Sequence, residues 1–148
     1  MDGFREITAS EEDFRFLAGL YDGLYVTEFP DPDERESLAN MRAYLKMKAD
    51  GWYGASSYHI LALIEGGAPV ALSISDYLAS ANAGVIEFIL TDPARRGGGI
   101  GRRMLEATSS RFWWCRSTGH RPGRCCGKAA MAGAWLGIAV DWVTGRSR

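Results

Sequence analysis

Long apolar segments, a signal-like N-terminus and a strong net charge are all missing from this chain. No stretch of about 18 apolar residues occurs, so no membrane-spanning helix is expected. The first ten residues, MDGFREITAS, have neither the basic nor the apolar part of a secretory signal. The net charge of -1 gives no overall field that would attract nucleic acid or a membrane surface. We therefore expect the 148 residues to form a cytoplasmic protein with a hydrophobic core of its own and no nucleic-acid or membrane partner.

Acidic residues are scarce toward the C-terminal end. Residues 109–148 contain one acidic residue, Asp141, and seven basic residues, whereas residues 1–108 contain 17 acidic and 10 basic residues. All three cysteines and four of the five tryptophans also lie after residue 108. This change in composition predicts an N-terminal portion of a domain over 1–108 and an atypical basic tail over 109–148.

The pattern of apolar and turn residues over 1–108 predicts an α+β fold. Ser10, with Asp13 three residues later, is placed to cap a helix, and apolar residues then recur at helical spacing up to Tyr25. Glycine-rich and small-residue turns separate three later strand-like segments. The predicted strands are 4–9, 58–65, 69–79 and 84–91, and the predicted helices are 11–25, 33–50 and one that begins within the glycines at 97–101 and runs to about residue 108. This order favours a mixed, mainly antiparallel sheet with helices packed against it.

The segment TDPARRGGGIGRRML (91–105) places four glycines and flanking arginines directly before a predicted helix. The first turn of a helix has N–H groups without partners and carries the positive end of the helix dipole. Because glycines let an anion approach closely, the segment predicts a phosphate or pyrophosphate site, with Arg96 and Arg102 adding charge-assisted hydrogen bonds. A dinucleotide fingerprint would need glycine in place of Met104, and a P-loop would need Gly-Lys at 102–103. The alternative is a glycine-rich turn that only caps the helix.

The spacing Arg96-x-x-Gly99-x-Gly101, with a strand-like segment before it and a helix-like segment after it, resembles the acetyl-CoA signature of the GNAT superfamily of N-acetyltransferases. The resemblance covers about residues 4–108. It implies the GNAT fold and transfer of an acetyl group from acetyl-CoA to a primary amine on a small molecule or peptide, with no metal.

The resemblance also implies positions for the acetyl donor. The end of the predicted fourth strand would pair its backbone with the pantetheine arm through Ile89, Leu90 and Thr91. Family members usually have valine where Thr91 stands, but this contact is through the backbone. The pyrophosphate would be held by the loop and its flanking arginines, which are Arg96, Gly97, Gly98, Gly99, Ile100, Gly101 and Arg102.

Acetyl transfer needs a base, because only a neutral amine attacks a thioester. Glu87 is our candidate, since strand alternation places it on one face with Val85 and Ile89, and its apolar neighbours are expected to raise its pKa. The alternative is an ion-pair partner at the end of a strand. His59, which begins a strand, is a second candidate base, and its alternative is a structural histidine.

In the GNAT family the loop between the first two helices commonly lines the acceptor site. Here that loop reads TEFPDPDERES (27–37), and its acidic cluster would attract a cationic amine. The cluster consists of Glu28, Asp31, Asp33 and Glu34. The alternative is that these residues only form the turn and the helix start. The aromatic pair in GWYG (51–54) likewise either faces a substrate or packs at a helix end.

After residue 108 the sequence lacks the pattern of the second half of a GNAT domain, which continues with a fifth strand, a fourth helix and two more strands. No tyrosine follows Tyr77 to serve as the usual general acid, and only 134–143 is strand-like. Because Arg, Gly, Cys, Trp and Ala are what GC-rich DNA encodes when it is read out of frame, we hypothesise a frameshift near residue 108. Reading the DNA in its other frames tests this directly.

Three other interpretations of the tail are weaker. Zinc binding by Cys115, His120, Cys125 and Cys126 fits no common spacing. Binding of single-stranded nucleic acid by the basic, tryptophan-bearing tail lacks a pattern. A membrane-surface segment over 129–140 is less simple than a buried strand or helix.

Two functions therefore remain open. The first is an acetyl-CoA-dependent N-acetyltransferase, and the alternative is a catalytically impaired or truncated GNAT remnant that only binds CoA or a partner chain. Without a fifth strand, the strand at 84–91 would be an exposed apolar edge. We therefore expect either self-association into a homo-oligomer through that edge or a monomer of marginal stability.

Overall fold

A four-stranded antiparallel sheet organises residues 2–118, which are the residues that the computed structural model describes. In chain order the elements are β1 (Gly3–Glu6), α1 (Glu11–Leu20), a π-helical turn (Tyr21–Tyr25), α2 (Val26–Glu28), a 3₁₀ turn (Pro32–Glu34), α3 (Leu38–Ala49), β2 (Ser57–Glu65), β3 (Ala68–Leu78), β4 (Ala83–Thr91), a second 3₁₀ turn (Pro93–Arg95) and α4 (Ile100–Thr118). The predictions that fall on the strand-like segment 134–143 and on His120, Cys125 and Cys126 lie outside the described residues.

The strands pair in the order β1-β2-β3-β4, each antiparallel to its neighbour. This arrangement with helices on both faces confirms the predicted α+β class. All three strand pairs are antiparallel. Short turns join β2 to β3 and β3 to β4, as is usual for antiparallel neighbours, whereas the helical segments α1 to α3 connect β1 to β2. Within residues 2–118, β4 is the last strand of the sheet, so its outer edge pairs with no other described strand.

Helix starts follow side-chain caps. Ser10 accepts a hydrogen bond from the backbone N–H of Asp13 at 3.1 Å, which confirms the predicted cap of α1. The second predicted helix was placed too early, at residue 33. Instead, Asp31 caps the separate 3₁₀ turn, and the Ser37 side chain caps α3 by accepting from the N–H of Asn40 at 3.1 Å.

The sheet separates two hydrophobic layers. One face packs against α1, the π-helical turn and α3, and its largest fully buried side chains are Ile7, Leu17, Leu20, Tyr25, Met41, Leu45, Tyr58, Ile60, Leu72 and Ile74. The opposite face packs against α4 through two smaller clusters, one of Leu61, Leu63, Val70, Ala71, Ile100 and Met104, and one of Tyr77, Phe112 and Cys115. Alternate residues of each strand therefore belong to different layers.

Helix α4 crosses residue 108, where the sequence predicted its end, and continues to Thr118. Phe112 and Cys115, which follow the composition change, are buried against the sheet. Gly84 on β4 makes room for this helix, since a Cβ atom there would lie 2.0 Å from the Phe112 ring. The helix is therefore packed against the sheet from Ile100 to Cys115, with the glycine loop at its start.

Candidate functional site: the glycine loop and a carboxylate pair

The glycine loop connects the end of β4 to the start of α4 through a backbone path that needs glycine. Gly97 and Gly99 have φ values of 92° and 74°, in the left-handed region that L-residues with side chains rarely adopt. A Cβ atom at either position would meet nothing within 4 Å, so the space beside the loop is open. The N–H of Arg103 donates to the Gly99 carbonyl at 3.0 Å, which is the first turn of the helix. The N–H groups just before it therefore have no partner within the helix and point toward the loop.

Both predicted phosphate-binding arginines are exposed and contact carboxylates. Arg96 donates to Glu28 at 2.5 Å, and Arg102 donates to Glu106, one turn further along α4, at 2.9 Å. The Arg96 guanidinium also lies 3.5 Å from the carbonyl oxygen of Thr91. Exposed ion pairs of this kind contribute about 0–1 kcal/mol each, so an incoming anion could compete for either arginine.

The acidic residues of the loop between the first helices fall into two groups. Glu28 joins the glycine loop through Arg96, whereas Asp31, Asp33 and Glu34 are exposed and belong to the 3₁₀ turn that Asp31 caps. Most of the predicted cluster therefore forms the turn, as its alternative interpretation expected.

The predicted pantetheine strand lies at the edge of the described sheet. Ile89 packs beside Ile100 and Met104, Leu90 lies in the layer of α1 and α3, and Thr91 ends the strand opposite Ala71. The three residues thus end the edge strand, and the 3₁₀ turn Pro93–Arg95 leads from them to the glycine loop.

Glu87 sits at a β-bulge. Ile74 pairs with Phe88 and Ser75 pairs with Ile86, so Glu87 has no partner on β3. Its side chain is exposed, rather than enclosed by its apolar neighbours as the sequence suggested.

The bulge brings Glu87 into hydrogen-bond contact with Asp76, a residue that sequence reasoning missed. Asp76 is half-buried at the end of β3, opposite Val85. Burial and then the neighbouring Glu87 carboxylate raise the pKa of Asp76 to about 7. The only signal in the sequence was a single acidic residue within the otherwise apolar and small strand ALSISDYL.

Tyr58, the cross-strand neighbour of Asp76, contributes a buried hydroxyl to the same place. The residue is 2% exposed, and its hydroxyl has no hydrogen-bond partner among the described residues. Burial, followed by the charges of Glu87 and Asp76, raises the pKa of Tyr58 well above its ordinary range. Tyr53 stacks on Tyr58 with ring centroids 6.4 Å apart, so this aromatic of the GWYG segment packs on the core, whereas Trp52 is 76% exposed.

With this geometry described, comparison with known proteins shows what the chain is similar to. No protein-family model and no curated protein matches it. Among solved structures, it is similar to a tandem GNAT protein from the clavulanic acid biosynthesis pathway, solved without acetyl-CoA, with a TM-score of 0.56 and 19% identity over 77% of this chain and 33% of that chain. The chain has the GNAT fold. It spans a third of the length of that tandem protein.

A second similar solved structure is that of a protein from Staphylococcus aureus subsp. aureus assigned to the GNAT family of acetyltransferases. Its TM-score is 0.47 with 13% identity, covering 78% of this chain and 92% of that chain. At these identities the GNAT similarity concerns the fold, and the residues that act in this chain must be argued from its own geometry.

His59 occupies the other side of the GNAT sheet, because consecutive residues of β2 point to opposite faces. Its Nδ1 lies 2.8 Å from Glu6, and its Nε2 lies 3.4 Å from the Cys115 sulfur. Burial and the charge of Lys48 lower the pKa of His59, although the hydrogen bond with Glu6 raises it. The neutral ring therefore donates from Nδ1 to Glu6 and accepts at Nε2 from the Cys115 thiol. His59 and Cys115 are each 2% exposed, which makes this a structural network and separates His59 from Glu87.

Within residues 2–118, no helix is long and apolar enough to cross a membrane. In the same part of the chain, no group of three or more His, Cys, Asp or Glu side chains is arranged to hold a metal ion.

Proposed function

We propose that this chain is an acetyl-CoA-dependent N-acetyltransferase that acts on a primary amine. The donor would bind with its pyrophosphate at Gly97–Gly101 and its pantetheine arm along the end of β4. Glu87 would lie on the acceptor side. The GNAT fold supports acyl transfer in general, and the assignment of acetyl-CoA as the donor depends on the glycine loop.

The observation that carries the proposal is the open anion-binding turn at the start of α4. Gly97 and Gly99 hold a backbone that other residues strain to adopt, and the positions where their Cβ atoms would lie are empty. Gly54 and Gly66 also have a left-handed backbone with open space, so what distinguishes this loop is that it leads directly into the start of the 19-residue helix α4. A pyrophosphate fits, since the helix dipole and the N–H groups favour a negative charge there.

Calorimetric titration with acetyl-CoA tests the donor site. Replacing Arg96 with alanine and Gly99 with aspartate removes one cation and places a carboxylate where the pyrophosphate would bind, so we expect binding to be lost. Gly54→Asp is the matched control, because Gly54 also has a left-handed backbone, with φ of 56°, and open space at its Cβ position. Loss of binding in the double variant alone supports the proposal, and unchanged affinity in the double variant contradicts it.

Release of CoA thiol in the presence of amines then separates the two functions that the sequence left open. Turnover with an amine supports the enzyme. Acetyl-CoA binding without turnover with any amine supports a chain that binds CoA without catalysis.

A further inference from the structure

Asp76 and Glu87 are adjacent because of one irregularity in the sheet. Asp76 pairs with Val85. In a regular ladder, Glu87 would lie two residues, or one full pleat, further along β4 from this pair. The bulge leaves Glu87 without a partner on β3, and its side chain shares a hydrogen bond with that of Asp76. A hydrogen bond between two carboxyl groups requires a proton on one of them.

A second feature at the same place lacks a partner. The Tyr58 hydroxyl is buried and makes no hydrogen bond in the described structure, although it lies close enough to both carboxylates to be influenced by their charge. A buried hydroxyl without a partner is costly and is rare in folded proteins. A polar ligand between the hydroxyl and the carboxylates would satisfy it.

The other titratable groups near the carboxyl pair and Tyr58 come from two helical elements and two connecting segments. They are Tyr25 of the π-helical turn, Glu36 before α3, Tyr44 of α3 and Tyr53 before β2. Their side chains are acidic or phenolic, so the surroundings favour a cation.

We propose that Asp76, Glu87 and the Tyr58 hydroxyl form the acceptor site, where the two carboxyl groups act as one proton-accepting unit for a cationic primary amine. This inference rests on the proposed acetyl transfer and adds a catalytic residue, Asp76, and a charge class to it. The exposed Glu87 receives the ammonium group from solvent, and Tyr58 contacts it from the buried side.

The proton steps balance as follows. An N–H bond of the ammonium breaks, its proton forms an O–H bond on Asp76, and the electron pair stays on nitrogen. The neutral amine then attacks the carbonyl carbon of the thioester, the carbon–sulfur bond breaks, and the departing thiolate takes the second proton lost by nitrogen. The proton on the carboxyl pair is released to solvent before the next cycle.

The pair sets a pH dependence with a definite direction. Below a pH of about 7 the pair already holds its proton and cannot accept another, so the rate should rise with pH through this value. Glu87→Gln removes the negative charge that helps to raise the pKa of Asp76, so the rising limb should move to lower pH. Asp76→Asn should remove the limb and lower kcat/KM by about 100-fold or more.

The experiment measures thiol release from acetyl-CoA with 2-phenylethylamine and with putrescine, from pH 5 to pH 9. With either amine we expect the changes above in Asp76→Asn and Glu87→Gln. Tyr58→Phe should raise KM more than it lowers kcat. Glu11→Gln, an exposed carboxylate at the start of α1, is the control and should leave the profile unchanged.

A carbon-13 NMR titration of the aspartate carboxyl groups provides a second measurement that does not need activity. We expect Asp76 to titrate near pH 7 in the full chain and at lower pH in Glu87→Gln. If the chain transfers acetyl groups but Asp76→Asn keeps the wild-type profile, the inference is wrong and the proposed function stands. If the chain neither binds acetyl-CoA nor turns it over, the proposed function is wrong, and an Asp76 that titrates near its ordinary pKa overturns the carboxylate pair as well.

Discussion

Replacing Glu6 with glutamine is expected to destabilise the fold strongly at neutral pH. The carboxylate lies 3.0 Å from Lys48, 2.8 Å from His59 and 3.3 Å from Arg111. Burial alone would raise the pKa of Glu6, but the His59 hydrogen bond and the charges of Lys48 and Arg111 outweigh it and lower the pKa from 4.5 to about 2. This difference corresponds to about 3 kcal/mol in the free energy of unfolding. Because the folded pKa lies below the unfolded one, the stabilisation is complete above about pH 4.5 and is lost as the pH falls through about 2.

Urea unfolding of the wild type and Glu6→Gln, followed from pH 7 downward, measures the effect. The variant should lose about 3 kcal/mol at pH 7, and the two curves should approach each other below pH 4.5. Glu12→Gln is the control, since Glu12 is 77% exposed in its 2.8 Å ion pair with Arg5 and should cost less than about 1 kcal/mol. Equal losses in the two variants, or a difference that does not depend on pH, would refute the reasoning.

Three further predictions concern the loop, the helix and the sheet edge. Glu28→Gln releases Arg96 from its exposed ion pair, so acetyl-CoA should bind up to about five-fold more tightly by calorimetry; weaker binding would mean that Glu28 positions the arginine for its ligand. Gly84→Ala forces a methyl group into the Phe112 ring and should cost about 1–3 kcal/mol in thermal unfolding, with partial rescue by Phe112→Leu; no loss would show that α4 shifts freely. Val85 is 43% exposed on the outermost described strand, so Val85→Lys should reduce self-association in light scattering over a dilution series; a wild type that is monomeric at every concentration would remove the expected homo-oligomer.

The sequence predicted β2, β3, β4 and the glycine loop closely because their signals are local, whereas β1 ends at Glu6, three residues before its predicted end. β2, β3 and β4 begin or end within one residue of the predicted positions, since turns with Gly66 and small residues define them. The start of α3 was wrong because two serine- or aspartate-capped turns follow one another, and the spacing alone did not show that Ser37, rather than an earlier residue, caps the long helix.

The side-chain partners could not be predicted, because they join positions far apart in the chain. Arg96 pairs with Glu28 across 68 residues, and His59 pairs with Glu6 across 53 residues. Asp76 was missed for a related reason. Its contact with Glu87 depends on a one-residue bulge, and hydrophobic alternation contains no information about where a strand inserts an extra residue.

Strand β2 is buried on both faces from Ser57 to Leu63, and this has a consequence for how the chain folds correctly. In most strands a slip of one residue is rejected because it moves apolar side chains into water. Here a slip would exchange one buried layer for another, so apolar burial hardly distinguishes the correct alignment. The correct alignment must therefore be distinguished by polar groups. A slip of one residue would move His59 to the face of the sheet that carries Asp76, so that Glu6 would lose its partner and Asp76 would gain a new neighbour. The buried polar contacts on the two faces of the sheet therefore also fix the alignment of β2.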